Sequence, residues 1–520
     1  MASASIIARE RRSGASALLG ALALKPLLLA FVLVAAIAGI RAFGTVDSDV
    51  SWQLWIAHQL NGGARLYSDI IEANPPLWFW MGMPVDRLAL VTHLRSDHVL
   101  IILIGCLALL SLAATNKLVG SIERKKRSLL LAYGALVLLA LPWLQAGQRE
   151  QIVLIGTLPY AALIGARREG REVPTAFAFT IGAFSALGFA LKHYFLIVPV
   201  LLELWLLTFD RRKWNPLRPE TIAMVLVGSV YAASFLLFAG NYLSVVLPLI
   251  LLAYGVTGAE RSIDLFQPAV LVALVTLAIL VAQPRFLRSK KTGPGPALAI
   301  AAIGFAAAYF IQAKGWSYHA IPFAGCAALG LAALLVNGEK LPRIAALGAP
   351  ALLFLPFWIA AQQEVHEPQS EVDVENAVNG LKAGDSVGFI GSDPALGWNV
   401  TLQHDFSYPS RYYGFWMMRA VVRNEARGSP DQRLSRLGRL VVRQTVDDFR
   451  CLPPKRIIVA RPSPEAIRKG EFDIFAFFLR DPQFGELMAS YRPAGRTRVE
   501  AFDLMSSLPK GRNCLRRARD

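Results

Sequence analysis

The chain has 520 residues, 54% of them hydrophobic and only 18% charged, and its mean hydropathy is +0.43. An ordinary soluble domain carries about 25% charged residues, so the composition excludes one and predicts a polytopic α-helical membrane protein. The formal net charge of +17 is no sign of nucleic-acid binding, because much of the excess sits in short loops between apolar spans, as the positive-inside bias requires.

Apolar runs of spanning length recur near 17–42, 98–117, 128–146, 151–166, 174–191, 194–209, 220–239, 265–282, 297–313, 319–336 and 343–361, about eleven transmembrane helices. The first 40 residues resemble a secretory signal peptide, but the apolar region is too long and no small-residue cleavage site follows. They are read as a retained first helix. The loops "RERRS", 123–128, 166–172, 210–218, 284–291 and 338–343 are basic. Placing all of them in the cytoplasm puts the N-terminus inside and everything after residue 362 outside.

Residues 43–97 then form a long first periplasmic loop. Within it, 50–60 and 75–91 are Trp-rich and read as helices lying along the membrane surface. The apolar segment 241–258, interrupted by Pro248, is read as a second such element. Composition changes near residue 362. "SVGFIGSD" and "KRIIVARP" are β-branched runs bounded by Gly, Pro and Asp, and "RTRVEAFDLM" reads as a further strand. "GEFDIFAFFLRDPQFGELMASY" reads as helical. The division is a transmembrane domain over 1–361 and a periplasmic α/β domain over 362–520. Cys106 and Cys326 lie inside spans. Cys451 and Cys514 share the outer domain and are expected to form a disulfide there.

Polar groups gather at the outer ends of spans. Asp47 and Asp49 follow the first span. The plainer reading of Asp49 is a cap on a helix starting at Val50. Against it stand the aromatic surroundings, the tight turn that Gly62 and Gly63 permit, and the extended entry fixed by Asn74-Pro75-Pro76. Arg149 and Glu150 lie in "GQREQ", which a solvated turn would also explain. Lys192 and His193 lie in "LKHYF", where a snorkelling lysine is the alternative. Lys314, Tyr318 and His319 crowd "QAKGWSYHAIP". Cations hold a phosphate that leaves with developing negative charge, and a carboxylate takes a proton from a hydroxyl. Sugar transfer from a lipid phosphate needs both. It needs no nucleotide site, and neither a Walker-A motif nor a Gly-rich fingerprint is evident.

The stretch "DSDVSWQLWIAHQLNGGARLYSDIIEANPPL" resembles the first-loop pattern of the GT-C membrane glycosyltransferases, in the bacterial branch related to protein O-mannosyltransferases and the lipid A aminoarabinose transferase. The likeness covers the membrane portion, about two thirds of the chain. It implies a catalytic first-loop Asp, a polyprenyl-phosphate sugar donor and inversion at the anomeric carbon. Spacing to Ala57 aligns Asp49 with that acid. The Asp-Ser-Asp order departs from the adjacent acids of many relatives and keeps Asp47 as a rival.

The expected protein is therefore a bacterial inner-membrane glycosyltransferase of cell-envelope lipopolysaccharide or polysaccharide synthesis, acting on a glycan, lipid or protein acceptor among membrane lipids. Asp49 is its expected base, with Asp47 beside it. Lys314, His319, Tyr318, Lys192, His193 and Arg149 would face the donor phosphate. Glu150, Glu72 and Tyr67 would orient the acceptor or a metal. No cofactor is required, and an optional divalent ion would use Asp49 and Glu150. Two rivals stand beside this reading. A transporter or flippase would place its charges at mid-membrane on broken helices. A non-catalytic envelope scaffold would keep its function without the aspartates.

Overall fold

The computed structural model describes residues 25–508, apart from 121, 210–213, 258–263, 290–292, 339–340, 365–368, 394, 426–428 and 469–471. The beginning of the first apolar stretch lies outside the described residues. A helix lies on each of the apolar stretches read from the sequence. Among the described residues five are long and apolar enough to cross a bilayer: Ser96–Leu118, Pro219–Phe238, Gly295–Gln312, Ser317–Val336 and Arg343–Gln362. Shorter apolar helices include Pro26–Arg41, Thr175–Ala190 and Pro268–Val281. The protein is a membrane protein, mostly helical, with a small C-terminal sheet.

The chain forms two compact units. The first comprises Met1–Thr45, Leu100–Ala232 and Arg261–Glu364; the second comprises Val46–Val99, Ala233–Glu260 and Val365–Asp520.

In the first unit the helices approach closely because small residues face their neighbours. A Cβ on Gly182 would stand 2.3 Å from the Glu220 carbonyl oxygen, and one on Gly304 would stand 3.1 Å from the Val198 Cα. Where lipid supplies no hydrophobic drive between helices, close backbone contact is what holds them. Leu280, Phe286, Ala299, Leu331 and Leu334 form one buried cluster. Two of the basic loops also contribute to an ion network. Arg167 donates to both oxygens of Glu220 at 3.0 Å. Arg218 reaches Glu220 at 3.3 Å and also pairs with Glu203. Glu220 is fully buried, a position that a carboxylate tolerates only when paired.

The second unit joins the first loop to the C-terminal part. Its sheet has the order β1-β2-β4-β3, with β1 Val387–Gly391, β2 Arg456–Ala460, β3 Tyr491–Arg496 and β4 Val499–Leu504. β1 and β2 run parallel, and the other pairs are antiparallel. β1 is buried along its whole length, as a parallel strand covered on both faces should be. The helix Gln432–Cys451 lays Val442, Val446 and Phe449 into a core shared with Ile457, Val459, Phe478 and Phe484. The expected helical stretch over 470–491 divides into Ile474–Phe478 and Pro482–Met488, capped by Asp473 and Asp481. The two Trp-rich pieces of the first loop are the helices Ser48–Asn61 and Leu77–Thr92. The loop between them pairs with the C-terminal part: Ile71 N–H donates to the Arg411 carbonyl at 2.9 Å, and Ile71 bridges Tyr412 in parallel.

Candidate active site

In the second unit the first-loop helix begins at Ser48, not at Val50. Asp47, not Asp49, is its N-cap, and its carboxylate accepts from the Asp49 backbone N–H at 2.9 Å. Side-chain reach explains the correction. A capping aspartate bonds the amide two or three residues on, and from position 47 that amide is Asp49's own. Asp49 thus falls in the first turn. It is half-buried, and its Oδ1 accepts a hydrogen bond from the Tyr413 hydroxyl. Burial, followed by the charge of Asp49, holds the Tyr413 phenol well above its ordinary 10. Tyr413 therefore remains a donor at neutral pH. Its ring stacks on Trp52 at 5.1 Å. The backbone beside it is fixed by Arg411, which pairs with buried Asp448 at 2.8 Å through its side chain and at 2.9 Å through its N–H.

Glu72 and Tyr67 carry the loop. One oxygen of Glu72 accepts from Trp52 Nε1, and the other accepts from the Asn74 backbone and side chain at 2.8 and 2.7 Å. Tyr67 donates to the Asn74 carbonyl at 2.7 Å and sits at φ +68. Asn74-Pro75-Pro76 then leads into the helix starting at Leu77. Two of the three residues expected to orient an acceptor or a metal, Glu72 and Tyr67, are thus tied to the turn that positions Trp52.

In the first unit a second constellation forms from three separate loops. Arg149 and Glu150 open the helix Arg149–Arg168 and are 3% and 0% exposed. The solvated-turn reading of "GQREQ" therefore does not hold. A cation at a helix N-terminus opposes the dipole, which makes the burial of Arg149 informative. Lys192, in extended conformation between two helical segments, donates to Glu150 Oε1 at 2.6 Å. Its Nζ also lies 3.1 Å from Nε2 of buried His319. The Tyr318 ring lies 4.6 Å from the His319 ring and 5.5 Å from Lys192 Nζ. Lys314 lies over Trp316 at 4.6 Å. Left-handed Ala313 and Gly315 turn the chain there, and Gln145 Nε2 ties Ser317 Oγ at 2.8 Å. Lys192, Lys314 and Arg149 all act electrostatically on His319. Three cations against one carboxylate leave a net positive charge, suited to a phosphate.

Five of the six residues expected at a donor phosphate thus share one neighbourhood. His193 is exposed and packs on Tyr194 at 3.9 Å. Among the described residues no three His, Cys, Asp or Glu side chains group to hold a metal ion. Cys451 is disulfide-bonded, Cys106 and Cys326 are free, and Cys514 lies outside the described residues. The residue that sequence reasoning missed is Tyr413. Its only local signal is the aromatic run "RYYGFW" beside an arginine, which names no partner.

No protein-family model matches the chain, and no curated protein matches its sequence. Its structure is similar to that of ArnT from Cupriavidus metallidurans bound to undecaprenyl phosphate. That likeness has 13% identity and a TM-score of 0.53, covering 91% of this chain and 97% of that one. The archaeal oligosaccharyltransferase AglB from Archaeoglobus fulgidus, in complex with an inhibitory peptide and a dolichol-phosphate, aligns over 91% of this chain and 72% of its own, at 11% identity and a TM-score of 0.44. The likeness to ArnT is one of fold.

Proposed function

We propose that this chain, which has the fold of the GT-C membrane glycosyltransferases, transfers a sugar from a polyprenyl-phosphate donor to a hydroxyl of an envelope acceptor. The observation that carries the reading is Asp49: a half-buried aspartate in a first helical turn, held by the Tyr413 hydroxyl. The structurally similar ArnT carries bound undecaprenyl phosphate, which supports a lipid phosphate as the carrier here.

Asp49 takes the proton of the acceptor hydroxyl as that oxygen attacks the anomeric carbon. The bond from that carbon to the phosphate oxygen breaks in line, so the configuration inverts. The departing phosphate gains negative charge, and Lys192, with Lys314 and Arg149, stabilises it. His319 accepts from the Lys192 ammonium and keeps it aimed, while Glu150 balances the charge when no phosphate is present. The reaction belongs on the periplasmic face of an inner membrane, with the N-terminus cytoplasmic and residues 362–520 outside, as the alternation of basic loops implies.

The test is deletion in the host followed by mass spectrometry of envelope lipids and glycans. An unglycosylated acceptor should accumulate together with polyprenyl-phosphate sugar. Complementation should restore the product with the native chain and fail with Asp49→Asn. Restoration by Asp49→Asn would leave a transporter or a scaffold.

A further inference from the structure

The second unit holds a cavity of about 390 Å³, within the range of small-molecule sites, for which the transfer chemistry above has no use. One side of the helix Ser48–Asn61 supplies Ser51, Trp55, His58 and Gln59, positions that share a face at helical spacing. The helix Leu77–Thr92 supplies Asp86, and the C-terminal part supplies Trp398 and Gln403.

Two kinds of group line it. The first is aromatic. Trp55 is half-buried, rests on Trp52 at 4.8 Å and meets Trp398 at 5.7 Å. The second is polar and pre-aimed. Asp86, itself 4% exposed, accepts from Asn61 at 2.7 Å and lies 3.1 Å from His58 Nδ1. A carboxylate only accepts, so Nδ1 carries a proton and the imidazole plane is set. Gln59 is 7% exposed, and its Oε1 has no hydrogen-bond partner among the described residues. A buried acceptor left unpaired is costly, and a turn of the Gln59 side chain toward the cavity it lines would give it a donor on a ligand.

The charges say which donor. The cavity's arginine, Arg95, is already spent on Asp97 through two hydrogen bonds, at 3.2 and 2.6 Å. Asp86 and Asp405 add negative charge. A phosphate or carboxylate would meet repulsion here, unlike at the Lys192 cluster. Indole surface beside fixed hydroxyl-binding groups, without net positive charge, suits a neutral polyhydroxylated ring.

We propose that this cavity binds a neutral saccharide, the glycan portion of the acceptor. The word acceptor rests on the transferase reading; saccharide binding does not. The test uses the full chain in detergent and saturation-transfer NMR with glucose, galactose, mannose and N-acetylglucosamine, with glucose 6-phosphate as the anionic comparison. At least one neutral sugar should receive saturation on its ring protons. Trp55→Ala should weaken that sugar about tenfold or more. Gln59→Leu should weaken it about 3–10-fold while the thermal midpoint holds or rises, because the substitution removes an unpaired buried acceptor. If Trp55→Ala does not fold, Gln59→Leu decides alone. The proposal falls if no neutral sugar binds, if binding ignores both substitutions, or if glucose 6-phosphate binds better than glucose. Asp49→Asn separates the two readings. Sugar binding with undiminished turnover would sink the transfer mechanism and keep the cavity; lost turnover with no sugar bound would do the reverse.

Discussion

Replacing Asp49 by Asn keeps the shape of the side chain and removes its ability to take a proton. Loss of a general base typically costs 10²–10⁴-fold in rate, and donor affinity should change little. The structure adds a finer scale. Tyr413 gives Asp49 one hydrogen bond, and a hydrogen bond to a charged group is worth about 1.5–3 kcal/mol. Asp49 is half-buried, so water replaces part of that in Tyr413→Phe. The lower end applies, about 1.5 kcal/mol or roughly tenfold in turnover. In the Asp49→Asn background the same substitution should cost little more, since residues acting through one contact are not additive. Asp47→Asn should be mildest, because Asn caps a helix about as well as Asp. The assay is transfer in membranes supplied with polyprenyl-phosphate sugar, with product counted by mass spectrometry and donor affinity measured separately. Abolished turnover in Asp47→Asn with a mild Asp49→Asn would move the base to Asp47. If neither matters, both carboxylates serve only the helix start and the mechanism is wrong.

Glu150→Gln breaks a buried pair and should cost about 3–5 kcal/mol of stability, whereas Glu150→Gln with Lys192→Met should lose less than the sum; additive losses in thermal melts would remove the pair from the argument. Lys192→Met alone should weaken polyprenyl phosphate binding, and unchanged affinity would take Lys192 out of its role. The raised Tyr413 phenol means that the folded chain keeps a proton which the unfolded chain releases near 10. Its contribution to stability is complete below that pH and is lost as pH rises through the folded value. Tyr413→Phe should flatten the alkaline limb of a denaturation series, and an identical limb would contradict it. A reporter active only in the cytoplasm should be silent when fused after Asp520, and a strong signal there would overturn the assigned topology. Cys451 and Cys514 should resist alkylation until reduced, the bridge adding about 2–4 kcal/mol; labelling of both without reductant would exclude it.

The helices were legible because an apolar run of spanning length has few alternatives, and β1 and β2 because β-branched runs stand between Gly, Pro and Asp. β3 was not. "YRPAGR" lacks β-branched residues and contains Pro493, which a strand tolerates at a sheet edge, where β3 lies. The start of the first-loop helix was misplaced because Asp47 and Asp49 are both competent caps, and local sequence does not rank them. "GQREQ" reads as polar and solvated. It is buried because Lys192 arrives from another loop to pair Glu150, and no window of adjacent residues contains that fact. Lys314, Tyr318 and His319 read as one cluster because they lie within six residues of one another, which is the kind of proximity a sequence displays.

The Asp49–Tyr413 contact joins residues 364 positions apart, and that separation is also a delay. At about 5–20 residues per second, synthesis from one to the other takes roughly 20–70 s. In that interval the first-loop helix can already be capped by Asp47, while the hydroxyl that holds its neighbouring carboxylate has yet to be made. A ribosome that stops before residue 413 leaves a chain with its spans inserted and the cap in place but no Tyr413 for Asp49. A shortened product should therefore lose at least the roughly tenfold in turnover expected of Tyr413→Phe.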